Sequence, residues 1–346
     1  MTTRMFGMLI FLAALWGASF LFIRIGAGPF GPVPLMAMRV TIAAACLIAF
    51  MLVKQRTRRA AAPSIGRSDG PLAESQAAPV LPIVPPMPLG SAARQAAPSG
   101  FAAMRGHWPA LIVVGLLNQA LPFCLFAYAE LTLSAGVTSV INATTPLWAA
   151  LVAFVWLGDR LGRLRAVGML LGLAGVVVLV WPDLTGAMGQ ASNPLAPLAV
   201  LAATLCYGIA ANFTKRHLTG VNSLAVASGS MLVAAIALLP LAWLWWPLAP
   251  IPPEAWIAVA LLGLFCTAFA YGLYFALIAS AGPARAVSVT FLIPVFGLLW
   301  GAIFLKEALT SLTLLGTGIV LVGTILASGI GGKRPLQPAR SVSVRG

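Results

Sequence analysis

The sequence predicts an all-α integral membrane protein of ten transmembrane helices, arranged as two inverted five-helix repeats. Three observations lead there. Hydrophobic residues make up 60% of the 346 and charged residues only 8%, against roughly 25% charged in a soluble globular chain. Ten strongly apolar runs are each close to the ~20 residues that cross ~30 Å of hydrocarbon. The chain also aligns with itself, Trp108 to Gly175 falling without a gap on Trp256 to Gly323.

Bounded by charge, Gly or Pro, the runs place helices 1 to 5 at 5–23, 34–53, 109–129, 136–157 and 164–181. Helices 6 to 10 fall at 194–213, 223–246, 255–277, 285–304 and 310–330. A first repeat therefore spans 1–182, a second 194–330, and 331–346 form a basic tail. Helix 1 follows Arg4 as a signal peptide would, but its apolar run exceeds an h-region of about 7–15 residues. It also carries the bulky Trp16 and Phe20, so a retained helix is expected. Between helices 2 and 3, residues 54–107 are rich in Ala, Pro and Ser, include Val84-Pro85-Pro86-Met87-Pro88, and lack an amphipathic stripe. That composition predicts a disordered cytoplasmic insert.

Net charge is +14, but the basic residues sit in short loops rather than on one face, which argues against nucleic acid as a partner. Counted on alternate sides, 18 of the 21 Lys and Arg fall with the N-terminus, among them Lys54, Arg56, Arg163, Arg165, Lys215, Arg216 and Arg285. Arg24 and Lys306 fall on the other side and Arg39 lies within helix 2. Cytoplasmic loops are enriched in these residues, so both termini are expected in the cytoplasm of a bacterial inner membrane protein. Cys46, Cys124, Cys206 and Cys266 lie in apolar segments without a CxxC or a His neighbour and read as packing residues.

At the shift of 148 residues Trp108 meets Trp256, Gly115 meets Gly263, Pro146 meets Pro294, Gly168 meets Gly316, and Asp159 meets Glu307. Leu15-Trp16-Gly17 also stands opposite Cys206-Tyr207-Gly208. Five helices is an odd number, so the second copy enters the membrane from the opposite side. Inverted repeats place a substrate site near the midplane between the halves and suit secondary transporters; a channel or lipid scramblase of similar architecture is the alternative.

Pro146 and Pro294 hold matching places in helices 4 and 9 and predict helix kinks. Each removes a backbone donor and frees the carbonyl four residues earlier, at Asn142 and Thr290. In hydrocarbon such a carbonyl needs another partner or a polar cavity, so both residues are candidates for substrate contact. The stripes Asn142, Pro146, Ala149, Ala153 and Thr290, Pro294, Gly297, Gly301 are small, which allows either close packing or a lumen. In helix 3, Gln119, Phe123, Phe126 and Glu130 share a face, matched in helix 8 by Thr267, Tyr271 and Tyr274. That polar and aromatic lining suits an amphipathic solute. Arg39, inside helix 2, must pair, snorkel or face water; Glu130 is its candidate partner, and together they form a possible charged site.

The runs Leu15-Trp16-Gly17-Ala18-Ser19-Phe20, Asn142-Ala143-Thr144-Thr145-Pro146-Leu147, Leu157-Gly158-Asp159-Arg160-Leu161, and Ile293-Pro294-Val295-Phe296 with Leu305-Lys306-Glu307-Ala308-Leu309 resemble the EamA-type branch of the drug/metabolite transporter superfamily. The likeness covers nearly all of the chain except 54–107 and the tail. It implies that helices 1, 3, 4, 6, 8 and 9 surround a central cavity, which adds Trp16, Ser19 and Tyr207 to the candidate substrate contacts. It also implies export of amino acids, other metabolites or drug-like amphiphiles. Four-helix drug-efflux relatives carry a Glu in helix 1; this chain has none there, so proton coupling lacks its usual carboxylate, with Glu130 the one acidic residue near a membrane position.

An enzyme is not expected, because His107 and His217 lie at membrane edges and no carboxylate pair or metal-ligand spacing appears. Catalytic residues, metal and cofactor are all expected to be absent. The partners foreseen are a small-molecule substrate and the lipid bilayer; the sequence leaves the oligomeric state open and is compatible with a monomer.

Overall fold

A computed structural model describes residues 2–60, 104–159, 161–185 and 193–328, and every element among them is helical. Ten helices are long and apolar enough to cross a membrane. They are α1 (Thr3–Phe30), α2 (Pro32–Thr57), α3 (Trp108–Ala129), α4 (Ala135–Leu157), α5 (Arg163–Pro182), α6 (Leu195–His217), α7 (Ser223–Leu244), α8 (Pro253–Ala281), α9 (Arg285–Leu305) and α10 (Ser311–Ser328). The chain is a multi-pass membrane protein. Most of the 54–107 insert, and the tail, lie outside the described residues.

Helix ends depart from the sequence reading where polar residues continue a helical ladder beyond the apolar window. α1 runs on to Phe30, so Arg24 is a helical residue and not part of an outer loop. It stops where Gly31, at φ 78°, donates its N–H to the Ala27 carbonyl and turns the chain straight into Pro32. The helix that contains α2 continues to Ala60, which gives the start of the insert a helical character. α8 extends to Ala281.

Local irregularities recur at the 148-residue shift. α3 and α8 each contain a π-helical turn, at Leu116–Ala120 and Leu264–Phe269. α4 and α9 end on left-handed residues, Gly158 at φ 68° and Lys306 at φ 56°. α4 is broken between Asn142 and Thr145, and α9 passes through a 3-10 turn at Ser288–Phe291 before restarting at Ile293. The prolines thus open new helical segments rather than kinking continuous ones. The freed carbonyl of Asn142 accepts the Thr145 hydroxyl at 2.8 Å, and Ala143 accepts Thr324 Oγ1 of α10 at 3.1 Å.

Lipid offers apolar helices no hydrophobic gain on association, so close backbone approach through small residues holds the bundle. Gly17 of α1 lies against Phe296 and Gly297 of α9, and the matching Gly208 of α6 lies against Trp148 and Ala149 of α4. α5 and α10 meet along Gly168, Gly172 and Gly175 on one side and Gly316, Val320 and Gly323 on the other. A Cβ on Gly323 would stand 2.3 Å from the Gly172 nitrogen, which is backbone and has nowhere to go. Gly323→Val is expected to cost about 1–3 kcal/mol of packing and to lower the melting temperature of the purified protein. Gly318→Val, with nothing within 4 Å of its Cβ, should leave it unchanged. At one end of α7, the exposed Trp243, Trp245 and Trp246 mark headgroup level.

Candidate functional site

The polar interior is assembled by the two π turns. Each inserts one residue and so turns a polar side chain inward from a helix otherwise lined with apolar groups. In α8 the turn carries Thr267, whose hydroxyl donates to the Leu262 carbonyl, five residues back, at 2.8 Å. The same oxygen accepts Nε of Arg39 from α2 at 3.0 Å. In α3 the turn carries Gln119, whose Nε2 donates to Ser230 Oγ of α7 at 3.1 Å while its Oε1 has no donor.

Arg39 is 6% exposed and does not snorkel. Its guanidinium lies over the Phe123 ring, 3.8 Å from the centroid, and its remaining contact is a weak one from Nη1 to Met36 Sδ at 3.9 Å. Tyr207, Cys266, Tyr271 and Glu130 are in electrostatic range, but among the described residues no carboxylate oxygen comes within the 4.0 Å of an ion pair. The expected Arg39–Glu130 pair is therefore not formed. The reason is longitudinal: Glu130 stands two helical turns beyond Phe123, about 10 Å along α3. Its carboxylate is fully buried and both its oxygens lack a donor. Arg24, although close, donates to the Glu130 backbone carbonyl.

Around Arg39 the rings pack in chains. Trp16 meets Tyr274 at 5.3 Å between centroids, Phe126 meets Phe20 and Tyr207 at 5.8 Å, and Tyr271 meets Phe275 at 5.9 Å. Tyr271 neighbours Asn118 and Gln119, and Ser19 neighbours Cys266. The candidates Ser19, Gln119, Phe123, Tyr207, Thr267 and Tyr271 thus gather with Arg39, and Trp16 with Tyr274 continues the aromatic wall. Asn142 and Thr290 stand apart at the breaks of α4 and α9. The Asn142 side chain makes no hydrogen bond among the described residues, and the Thr290 hydroxyl donates to the Val287 carbonyl at 2.8 Å.

In the sequence, Glu307 is marked only as the counterpart of Asp159 and as part of the run from Leu305 to Leu309. Its two oxygens accept the first N–H groups of α4, Ala135 at 2.7 Å and Gly136 at 3.0 Å. A carboxylate there offsets both the unsatisfied donors and the positive helix terminus. The end of α9 is thereby fastened to the start of α4, and the two helices run antiparallel. The seam continues through Gly297 against Ser139 and Gly136 against Leu298, and Ala135 to Ile141 are all buried. The small stripe of α9 is therefore packed, not open. Toward the other end of the same pair the matching segment is buried only in alternation, for Arg285 and Val287 are exposed and Ser288 is half-buried while Ala286 and Val289 are buried against α1 and α8. Asp159, the counterpart of Glu307, is exposed as well. On the Glu307 side the first segment of α4 packs against the second segment of α9, and on the Asp159 side the counterpart segments do not pack on each other in the same way.

Residues 87–181 and 194–329 match the model of the EamA-like transporter family. The chain belongs to that family. It is a membrane transporter by membership and not an enzyme, and two stretches of the one chain match the EamA model. An inner membrane transporter of Escherichia coli, YedA, is 24% identical over 94% of this chain and 90% of its own length. A transporter of Archaeoglobus fulgidus is 27% identical over 62% of this chain and 75% of its own. A probable terminal-alkyne amino-acid exporter of Streptantibioticus cattleyicolor is 26% identical over 69% of this chain and 77% of its own. A protein of known crystal structure shares the fold with a TM-score of 0.58 at 19% identity, covering 95% of this chain and 99% of that one.

Proposed function

We propose that this EamA transporter is a secondary carrier that exports a small metabolite, amino acid or drug-like amphiphile across the bacterial inner membrane by alternating access. The observation that carries the reading is the asymmetry of α4 and α9. Two segments related by 148 residues hold two different states, one packed through Glu307 and one not packed in the same way near Asp159. A chain built of inverted halves exchanges those states by rocking one half against the other. The antiparallel α4 and α9, the crossed contacts of Gly17 and Gly208, and the paired π turns support the inversion.

The bias of Lys and Arg toward the Asp159 side assigns that side to the cytoplasm. Both termini then lie inside, and this state receives substrate from within, the direction an exporter needs. Solute meets the Arg39 cluster, whose ring walls suit an apolar body. The names of the relatives, one an inner membrane transporter and one an amino-acid exporter, agree with that reading.

Purified protein in proteoliposomes tests it, once comparison of medium from cells with and without the chain has supplied a solute. Saturable uptake accelerated by the same solute on the opposite side is expected. Flux that rises linearly with concentration and shows no exchange would point to a channel instead.

A further inference from the structure

Two charged groups are buried in the helices without an ion-pair partner among the described residues, Glu130 and Arg39, and of the two only Arg39 stands among the rings. A buried guanidinium without a counter-ion is among the most expensive groups a membrane helix can hold. Here it keeps one hydrogen bond to Thr267, a weak contact to Met36 and an aromatic face, while the nearest described carboxylate lies beyond ion-pair distance. Thr267 is held by its own bond to Leu262, so Nε is oriented and the Nη edge of the fork is left for another acceptor. About one helical turn before Phe123 on α3, Gln119 Oε1 is a buried acceptor without a donor. A cation lacking an anion lies over the Phe123 ring, and an acceptor lacking a donor lies one turn back on the same helix, with Tyr271 a neighbour of both.

We propose that Arg39 is the recognition group for a carboxylate on the transported solute, with Gln119 Oε1 taking an N–H or O–H beside that carboxylate. This rests on the transport reading above and narrows it to one substrate class, an acid with an apolar body. The planar fork of Arg matches a carboxylate through two parallel hydrogen bonds, which a Lys ammonium cannot reproduce. Unliganded, the guanidinium is partly offset by the Phe123 ring; a carboxylate supplies the missing charge, so the solute stabilises the site as the site binds it.

The test compares medium and extracts of cells carrying the wild-type chain, Arg39→Gln, Arg39→Lys or no chain, by untargeted mass spectrometry. The proteins are also purified and melted with and without the exported solute and its carboxamide. The solutes exported by the wild type are expected to be carboxylic acids. Arg39→Gln should export at least tenfold less while melting at or above wild type, because a neutral side chain removes an uncompensated charge that the fold does not need. Arg39→Lys should fall between. The acid should raise the wild-type melting temperature and the carboxamide should not, a comparison that holds even if a variant fails to fold. Export of neutral or cationic solutes, wild-type export by Arg39→Gln, or equal stabilisation by acid and carboxamide would overturn the proposal and leave transport standing. If the wild type moves no solute, the transport reading falls and this inference with it.

Discussion

Gly297→Leu is expected to abolish transport while leaving the protein in the membrane. A Cβ at Gly297 would lie 2.2 Å from Ser139 Oγ and 2.4 Å from Ser139 Cβ, closer than any side-chain shift of a few tenths of an ångström can relieve. The seam between α9 and the first segment of α4 then cannot close, and a carrier that cannot seal one side cannot complete its cycle. The loss in counterflow should exceed about 20-fold, since a block worth ~2 kcal/mol or more follows from overpacking alone. The cause can be isolated by a double-mutant cycle. Gly297→Ala should already impair counterflow, and adding Ser139→Gly should restore it, because the atoms met by the new methyl are then gone. Wild-type counterflow in Gly297→Leu would show that the seam has no part in the cycle.

Glu307→Gln should act on the same seam by chemistry rather than shape. The carboxylate accepts two backbone N–H groups at a helix start, and bonds to a charged acceptor are worth about 1.5–3 kcal/mol each where they are desolvated. Glu307 is half-buried, so solvent screening discounts that sum, and about 1.4 kcal/mol, a tenfold shift in the equilibrium, is expected. The amide also turns an N–H₂ toward donors that it cannot satisfy. The sealed state should lose population by that factor, read as increased reactivity of a cysteine placed at Ser139. Asp159→Asn, on the exposed counterpart, should leave that reactivity near its starting value. An unchanged Ser139→Cys reactivity in Glu307→Gln would mean that the cap does not hold the seam.

The ten spans were legible because the bilayer imposes a length and a hydropathy that no other environment asks of a sequence. Their ends were not, since the hydrogen-bonded ladder of α1 runs past the apolar window through Arg24, and hydropathy cannot see a ladder. The duplication was legible from Trp108 with Trp256 and Pro146 with Pro294. The π turns that it repeats were invisible, because one extra residue in a helix leaves no compositional mark. That blindness mattered for the site. Gln119 and Thr267 were named from a shared face, yet the bond from Arg39 to Thr267 spans 228 positions of sequence.

Arg39 shows how a sound rule misleads. A buried charge demands compensation, and the sequence offered Glu130; the structure gives Arg39 a ring and a hydroxyl, and no anion within ion-pair distance among the described residues. The small stripe of α9 illustrates the reverse, an ambiguity that only packing resolves, since Gly297 and Gly301 lie against Ser139 and Glu307 and leave no lumen there. Half the signal for Glu307 was present in its match to Asp159, but its partner N–H groups belong to the backbone and carry no sequence signature.

Ser139 and Val287 occupy matching positions in the two halves, and comparing them tests alternating access most directly. With Cys46, Cys124, Cys206 and Cys266 replaced by Ala, single cysteines at the two sites are exposed to a membrane-impermeant thiol reagent in vesicles of each orientation. Ser139 is fully buried and Val287 is 43% exposed, so Val287→Cys should react from the Asp159 side. Ser139→Cys should resist reagent from both sides until Glu307→Gln is introduced. Ready labelling of Ser139→Cys from the Glu307 side, with Val287→Cys silent from either, would contradict a carrier resting with its Asp159 side open.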